Sequence, residues 1–143
     1  MIRLLLIVGL LAFLAHACKG ICDDLQFHYS DTRWAKLGND RFWNPQESWV
    51  TGLGDSPQAA KYAGDDPKNG PRFPGSTTWL AWTTDAWHLF QTIQYALLRL
   101  ALTLLLAGAL ALERRPRWYH PVGIYALLWI IQAAGFHLTY TLL

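Results

Sequence analysis

The chain has 143 residues, 52% of them hydrophobic and 15% charged, with 8 Trp. That length bounds it to one domain. A net charge of +2 with no basic stripe excludes a nucleic-acid-binding protein.

The first apolar run is LLLIVGLLAFLAHACKGIC, Leu4–Cys22. It has about the 20 residues a helix needs to cross a hydrocarbon core of roughly 30 Å. Arg3 before it and the Ala15–Ala17 triplet within it also fit a signal peptide with an A-x-A site. Cys18 directly after that triplet would suit a lipoprotein, but His16 fits a lipobox poorly. The length rule favours an uncleaved transmembrane helix over residues 1–22. Within it, Cys18 and Cys22 share a helix face, and two buried packing thiols are expected rather than a strained disulfide.

Residues 23–75 have neither long apolar runs nor clean alternation, and are dense in Trp, Pro and Gly. An irregular aromatic loop over the helix ends is expected, with Trp34, Trp43, Trp49, Trp79, Trp82 and Trp87 at headgroup level, where indole is favoured. Motifs that promise chemistry fail here. DDPKNG (Asp65–Gly70) has Pro67 at the third calcium-ligand position and no Glu at the twelfth. GLGDS (Gly52–Ser56) lacks the strand and helix of a phosphate loop. Neither G-x-S-x-G nor H-E-x-x-H occurs.

A long helix is predicted over 76–112, with Ser76 as its N-cap and the apolar run Thr92–Leu112 as its second crossing. A turn over 113–121 carries Arg114, Arg115 and Arg117, and a third crossing occupies 122–143. The fold class expected is an all-α membrane protein of three transmembrane helices with a Trp-rich extracytoplasmic loop. Cytoplasmic placement of Arg3 and of the Arg-rich turn agrees with two intervening crossings. It places 23–75 and the C-terminus outside.

Asp85, His88, Thr92, Tyr95, Arg99 and Thr103 recur at spacings of three and four, so one face of the long helix is polar. At a rise of 1.5 Å per residue, Arg99 lies about 20 Å from the cytoplasmic end and His88 about 36 Å. The same rule puts His137 about 24 Å up the third helix, and His16 and Asp23 about 20 and 30 Å up the first. Two layers result. The deeper holds His16, Arg99, Gln132 and His137, and the upper holds Asp23, Asp24, His28, Asp85 and His88. Intramembrane ionisable groups either satisfy one another in an internal network or form a functional site. For a site, Asp85 and His88 could ligate one divalent metal, with Asp23, His28 or His137 completing an N/O shell suited to zinc or iron. Such a metal could activate water for hydrolysis at the outer leaflet, with Arg99, or Lys68 and Arg72, holding an anionic headgroup. Haem ligation by a transmembrane His such as His88 or His137 is a further alternative.

ICDDLQFHYS (Ile21–Ser30), FWNPQESWV (Phe42–Val50), GDDPKNGPRFPGSTTWLAWTTDAWHLFQ (Gly64–Gln91) and GFHLTY (Gly135–Tyr140) resemble blocks of a group of small integral membrane proteins typical of Bacteroidetes. The resemblance implies a bacterial inner-membrane protein and no particular activity. TGLGDSPQAA (Thr51–Ala60) is longer than the connection that group would carry there. Taken together, these features lead to an accessory or scaffold subunit whose partners are the lipid bilayer and other membrane-protein subunits. The alternatives are a metal-dependent outer-leaflet enzyme using Asp85 and His88, or redox-cofactor ligation.

Overall fold

A computed structural model describes residues 2–49, 59–113 and 117–142, with side chains over 2–49, 59–111 and 117–134. Among the described residues every regular element is a helix, with no strand. Three long helices stand out: α1 (Ile2–Phe27), α4 (Ala86–Glu113) and α5 (Tyr119–Leu142). Two short ones lie between α1 and α4: α2 (Asp40–Trp43) and α3 (Pro45–Trp49). The chain divides into two compact units, one of residues 1–15 and 95–143 and one of His16–Gln94.

In the first unit the helices follow from Leu, Ile and Ala runs with no internal Pro, since Pro121 of α5 falls in the first turn, where its missing N–H is not needed. Their large side chains remain uncovered: Leu6 is 68% exposed, Phe13 70% and Ile130 57%. Only 6% of the most apolar stretch of α1 is buried, and 11% of that of α4. Gly108 allows one close approach, because a Cβ there would stand 2.5 Å from Leu4 Cδ2.

The His16–Gln94 unit is built differently. Where an irregular loop is expected, short α- and 3-10 helices pack together with parts of α1 and α4. Its interior holds Leu25, Cys22, Ala59, Ala60 and Ala86, together with Ser48, Ser76, Thr84 and Asp85. A segment with so few large aliphatic residues of its own completes its core from the long helices. That is why α1 continues past Cys22 to Phe27: Cys22 and Leu25 are 3% and 1% exposed. Cys18 and Cys22 are both buried and free.

Local chemistry explains the short elements. Asn44 Oδ1 accepts from the Gln46 N–H at 3.0 Å while Pro45 occupies the first turn of α3, the usual positions for a capping amide and a proline. Asp66 Oδ1 takes the Lys68 N–H at 2.9 Å, so DDPKNG closes a turn. Gly70 N lies in the return segment, whose Arg72 N–H donates to the Lys61 carbonyl at 3.0 Å. Arg41 pairs with Asp65 and its Nη1 donates to the Glu47 carbonyl. Four of the indoles pack inside this unit. Trp34 stacks on Trp43 with ring centroids 5.2 Å apart, and Trp49 meets Trp87 edge-on at 5.0 Å. Trp79 and Trp82 stay exposed.

The expected helix over 76–112 begins instead at Ala86. Ser76 is buried and committed elsewhere, its Oγ donating to the Lys61 carbonyl at 2.7 Å and accepting from the Phe73 N–H at 3.3 Å. Residues 76–85 form turns and the 3-10 helix Ala81–Thr83. Arg114, Arg115, the TGLGDSPQ stretch and the side chain of His137 lie outside the described residues.

Candidate functional site

Asp85 is the residue that starts α4. Its Oδ1 accepts the His88 backbone N–H at 2.9 Å, satisfying one of the first-turn donors that no carbonyl can reach. Its Oδ2 lies 2.8 Å from His88 Nδ1, with Oδ1 at 3.0 Å from the same nitrogen. Nδ1 is thus the ring nitrogen turned to the carboxylate, and Nε2 is the other. Asp85 is fully buried, while the His88 side chain is 26% exposed. Rings enclose the imidazole: Trp49 at 5.5 Å and Trp87 at 4.9 Å between centroids. Trp87 is itself held by α1, its Nε1 donating to Gln26 Oε1 at 3.2 Å and its carbonyl receiving Cys22 Sγ at 3.5 Å.

This arrangement fixes an imidazole by a carboxylate, by tilted and edge-on ring contacts and by a helix N-terminus at once. Its chemistry is that of an oriented histidine. Among the described residues no group of three or more His, Cys, Asp or Glu side chains comes together. Asp23 pairs with Lys19 one turn back on α1, and His28 is exposed at the start of the 3-10 helix Tyr29–Asp31. Of the expected ligand set, then, Asp85 and His88 are adjacent and neither Asp23 nor His28 joins them. Lys68 and Arg72 are exposed, and so is His16 on α1.

In the other unit, Arg99 sits over the Tyr125 ring of α5, with its guanidinium carbon 5.5 Å from the centroid. Its Nε donates to the Tyr95 carbonyl at 3.3 Å, and its own carbonyl accepts from Thr103 Oγ1 at 2.7 Å. Arg99 lines a cavity of about 390 Å³ walled by Leu98, Leu102, Leu128 and Ile131, with Tyr95 and Gln132 as its other polar residues. Arg99 and Gln132, grouped by depth in the sequence, thus share one cavity. No carboxylate among the described residues forms an ion pair with Arg99.

The polar stripe therefore divides. Asp85 is a cap rather than a member of the helical face, and Arg99 belongs with Tyr95, Thr103 and Tyr125. Trp49 and Tyr125, the rings that hold His88 and Arg99, are distant in sequence from the residues they hold and carry no motif that would have singled them out. The Asp85 cap was legible, since Asp is a favoured N-cap.

By fold, the chain is an all-helical protein with two helices, α1 and α4, long and apolar enough to cross a membrane. Set against protein-family models, curated proteins and solved structures, it matches none.

Proposed function

We propose that the chain is a small integral membrane protein, crossing the membrane by α1, α4 and α5, that serves as an accessory or scaffold subunit of a membrane assembly. The observation that carries this reading is how few side chains are buried on the long helices, 6% of the most apolar stretch of α1 and 11% of that of α4. Contiguous apolar surface of that extent marks a membrane or a protein interface. A helix satisfies its own backbone and is the form that hydrocarbon tolerates. Helices that bury so little of themselves in one another keep lateral faces free for neighbouring helices. Arg99 adds to this, because a charge at the centre of a crossing is unfavourable by about 2.5–3.5 kcal/mol on insertion scales and calls for a partner.

The positive-inside rule, applied to Arg3 and Arg117 with Arg114 and Arg115, places the N-terminus in the cytoplasm and residues 23–75 outside, in a bacterial inner membrane. Two measurements test the reading. Cysteines introduced at Lys68 and Arg117 are labelled by an impermeant maleimide from opposite sides of the membrane; labelling of both from one side overturns the topology. Extraction from native membranes in mild detergent yields a stable assembly with other membrane proteins. A monodisperse chain of 16.2 kDa without partners overturns the subunit role.

A further inference from the structure

We propose that the Arg99 cavity is a docking site for a carboxylate carried at mid-span by a transmembrane helix of a different membrane protein. The inference deepens the subunit reading and rests on α4 crossing the membrane.

Position is the first argument. Arg99 lies near the middle of the apolar span Ala86–Ala111, about 20 Å from one end and about 18 Å from the other at 1.5 Å per residue. With a hydrocarbon core of roughly 30 Å, the headgroup layers are each about 15 Å away along the helix. Nor is the side chain free to reach for them, since its Nε is held on the Tyr95 carbonyl and its guanidinium over Tyr125. A lipid phosphate at its ordinary depth does not meet this group, and a free anion has no route through hydrocarbon.

Donor count is the second argument. A guanidinium carries five N–H donors in a fixed fork, and the hydrogen bond formed here uses the one on Nε. Among the described residues no bond to the two terminal nitrogens is seen, and Arg99 lines a cavity whose walls are Leu98, Leu102, Leu128 and Ile131. The fork matches a carboxylate in two-point geometry. The aliphatic walls match the side chains that flank an acid on an apolar helix, and the Gln132 amide offers a second donor to the same oxygens.

Charge complementarity then identifies the partner as another protein. No Asp or Glu occurs between Ile2 and Cys22, between Ala86 and Leu112, or between Trp118 and Leu143. A second copy of this chain therefore has no mid-span acid to present. The partner must be a different chain with an Asp or Glu near the centre of a crossing.

The test uses full-length protein reconstituted in phosphatidylcholine vesicles and poly-leucine transmembrane peptides whose central residue is Glu, Gln or Leu. Association is read by energy transfer between labels on protein and peptide. The Glu peptide is expected to bind about tenfold more tightly than the Leu peptide, with Gln in between. Arg99→Leu abolishes the preference, and Arg99→Lys keeps part of it because a point charge replaces the fork. Equal binding of the three peptides to the wild-type protein overturns the proposal. So does a preference that survives Arg99→Leu. In vesicles containing phosphatidylglycerol, loss of the Glu preference together with Arg99-dependent enrichment of the anionic lipid assigns the cavity to lipid and also overturns it. Arg99→Cys separates this from failure of the crossing itself. Protection of that cysteine from impermeant maleimide, with no Glu preference in the wild-type protein, rejects the docking site alone; labelling from the aqueous side rejects the span on which it rests.

Discussion

The two units of this chain solve the problem of stability with opposite materials. The described side chains of residues 1–15 and 95–143 include large apolar groups turned outward, with Leu6, Phe13 and Ile130 more than half exposed and Ala101 and Thr103 among the few buried residues. The His16–Gln94 unit buries serine, threonine, alanine and a carboxylate, and holds them with side-chain hydrogen bonds and packed rings. One is shaped for surroundings that accept apolar surface. The other gains its order from specific polar contacts that tolerate little change. Substitutions should therefore act very unequally on the two.

The largest effect is expected at Asp85. Asp85→Ala removes a helix cap and the His88 partner together, and should destabilise the His16–Gln94 unit by about 2–3 kcal/mol, read by Trp fluorescence during denaturation. Asp85→Asn, still a good cap, should lose about 1 kcal/mol. An equal loss for both would mean that the Asp85 carboxylate beside His88 matters and the cap does not.

Next comes Gly75→Ala. Gly75 has φ +87°, and a Cβ there would lie 2.8 Å from Trp79 Nε1, so both backbone strain and collision oppose any side chain. A loss of about 1–2 kcal/mol is expected. An unchanged denaturation midpoint would show that Trp79 can swing away and that its exposed face is dispensable.

Trp34 and Trp43 lie 18° from parallel, and a double-mutant cycle to Leu should give a coupling of about 1 kcal/mol. A coupling near zero would assign these indoles to lipid headgroups instead of to each other.

Smaller again is the Tyr29 phenol, which donates to Asp40 Oδ1 at 2.7 Å. Burial, and then the neighbouring Asp40 carboxylate, push its pKa up to about 12 from 10. The neutral phenol is the favoured form in the folded chain. Its contribution is therefore complete below pH 10 and is lost as pH rises from 10 through about 12. Tyr29→Phe should lower stability by about 0.5 kcal/mol at neutral pH, and should remove a step near pH 12 from the phenolate absorbance titration.

The least effect is expected at the exposed leucines of the first unit. Leu6→Ala in detergent micelles should change stability by under about 0.5 kcal/mol. A loss of about 2–5 kcal/mol, the range for a core leucine, would show that α1 is covered by protein.

The long helices were legible because their signal is local. Leu4–Cys22, Thr92–Leu112 and Val122–Leu143 are apolar runs without internal breakers, and each falls largely within a helix of the structure. Their ends were not legible to the same degree. Ser76 and Asp85 are both acceptable caps by residue type, and what separates them is that Ser76 already serves the Lys61 carbonyl. The pair at Asp85 and His88 was legible from its spacing of three. The ring of Trp49 beside His88, and that of Tyr125 under Arg99, were not, because ring partners come from other helices and leave no periodic trace in sequence.

Composition and periodicity by themselves determined an all-helical chain, the three long apolar segments and a polar residue at the centre of the second. These follow from backbone hydrogen bonding and side-chain hydrophobicity, which act over a few residues. Only the tertiary structure decided that the described residues of 23–75 share a packed unit with parts of α1 and α4, that the polar stripe splits at its cap, and that Arg99 lines a cavity. Each of those depends on which groups are already satisfied by distant neighbours, and that is settled when the segments meet.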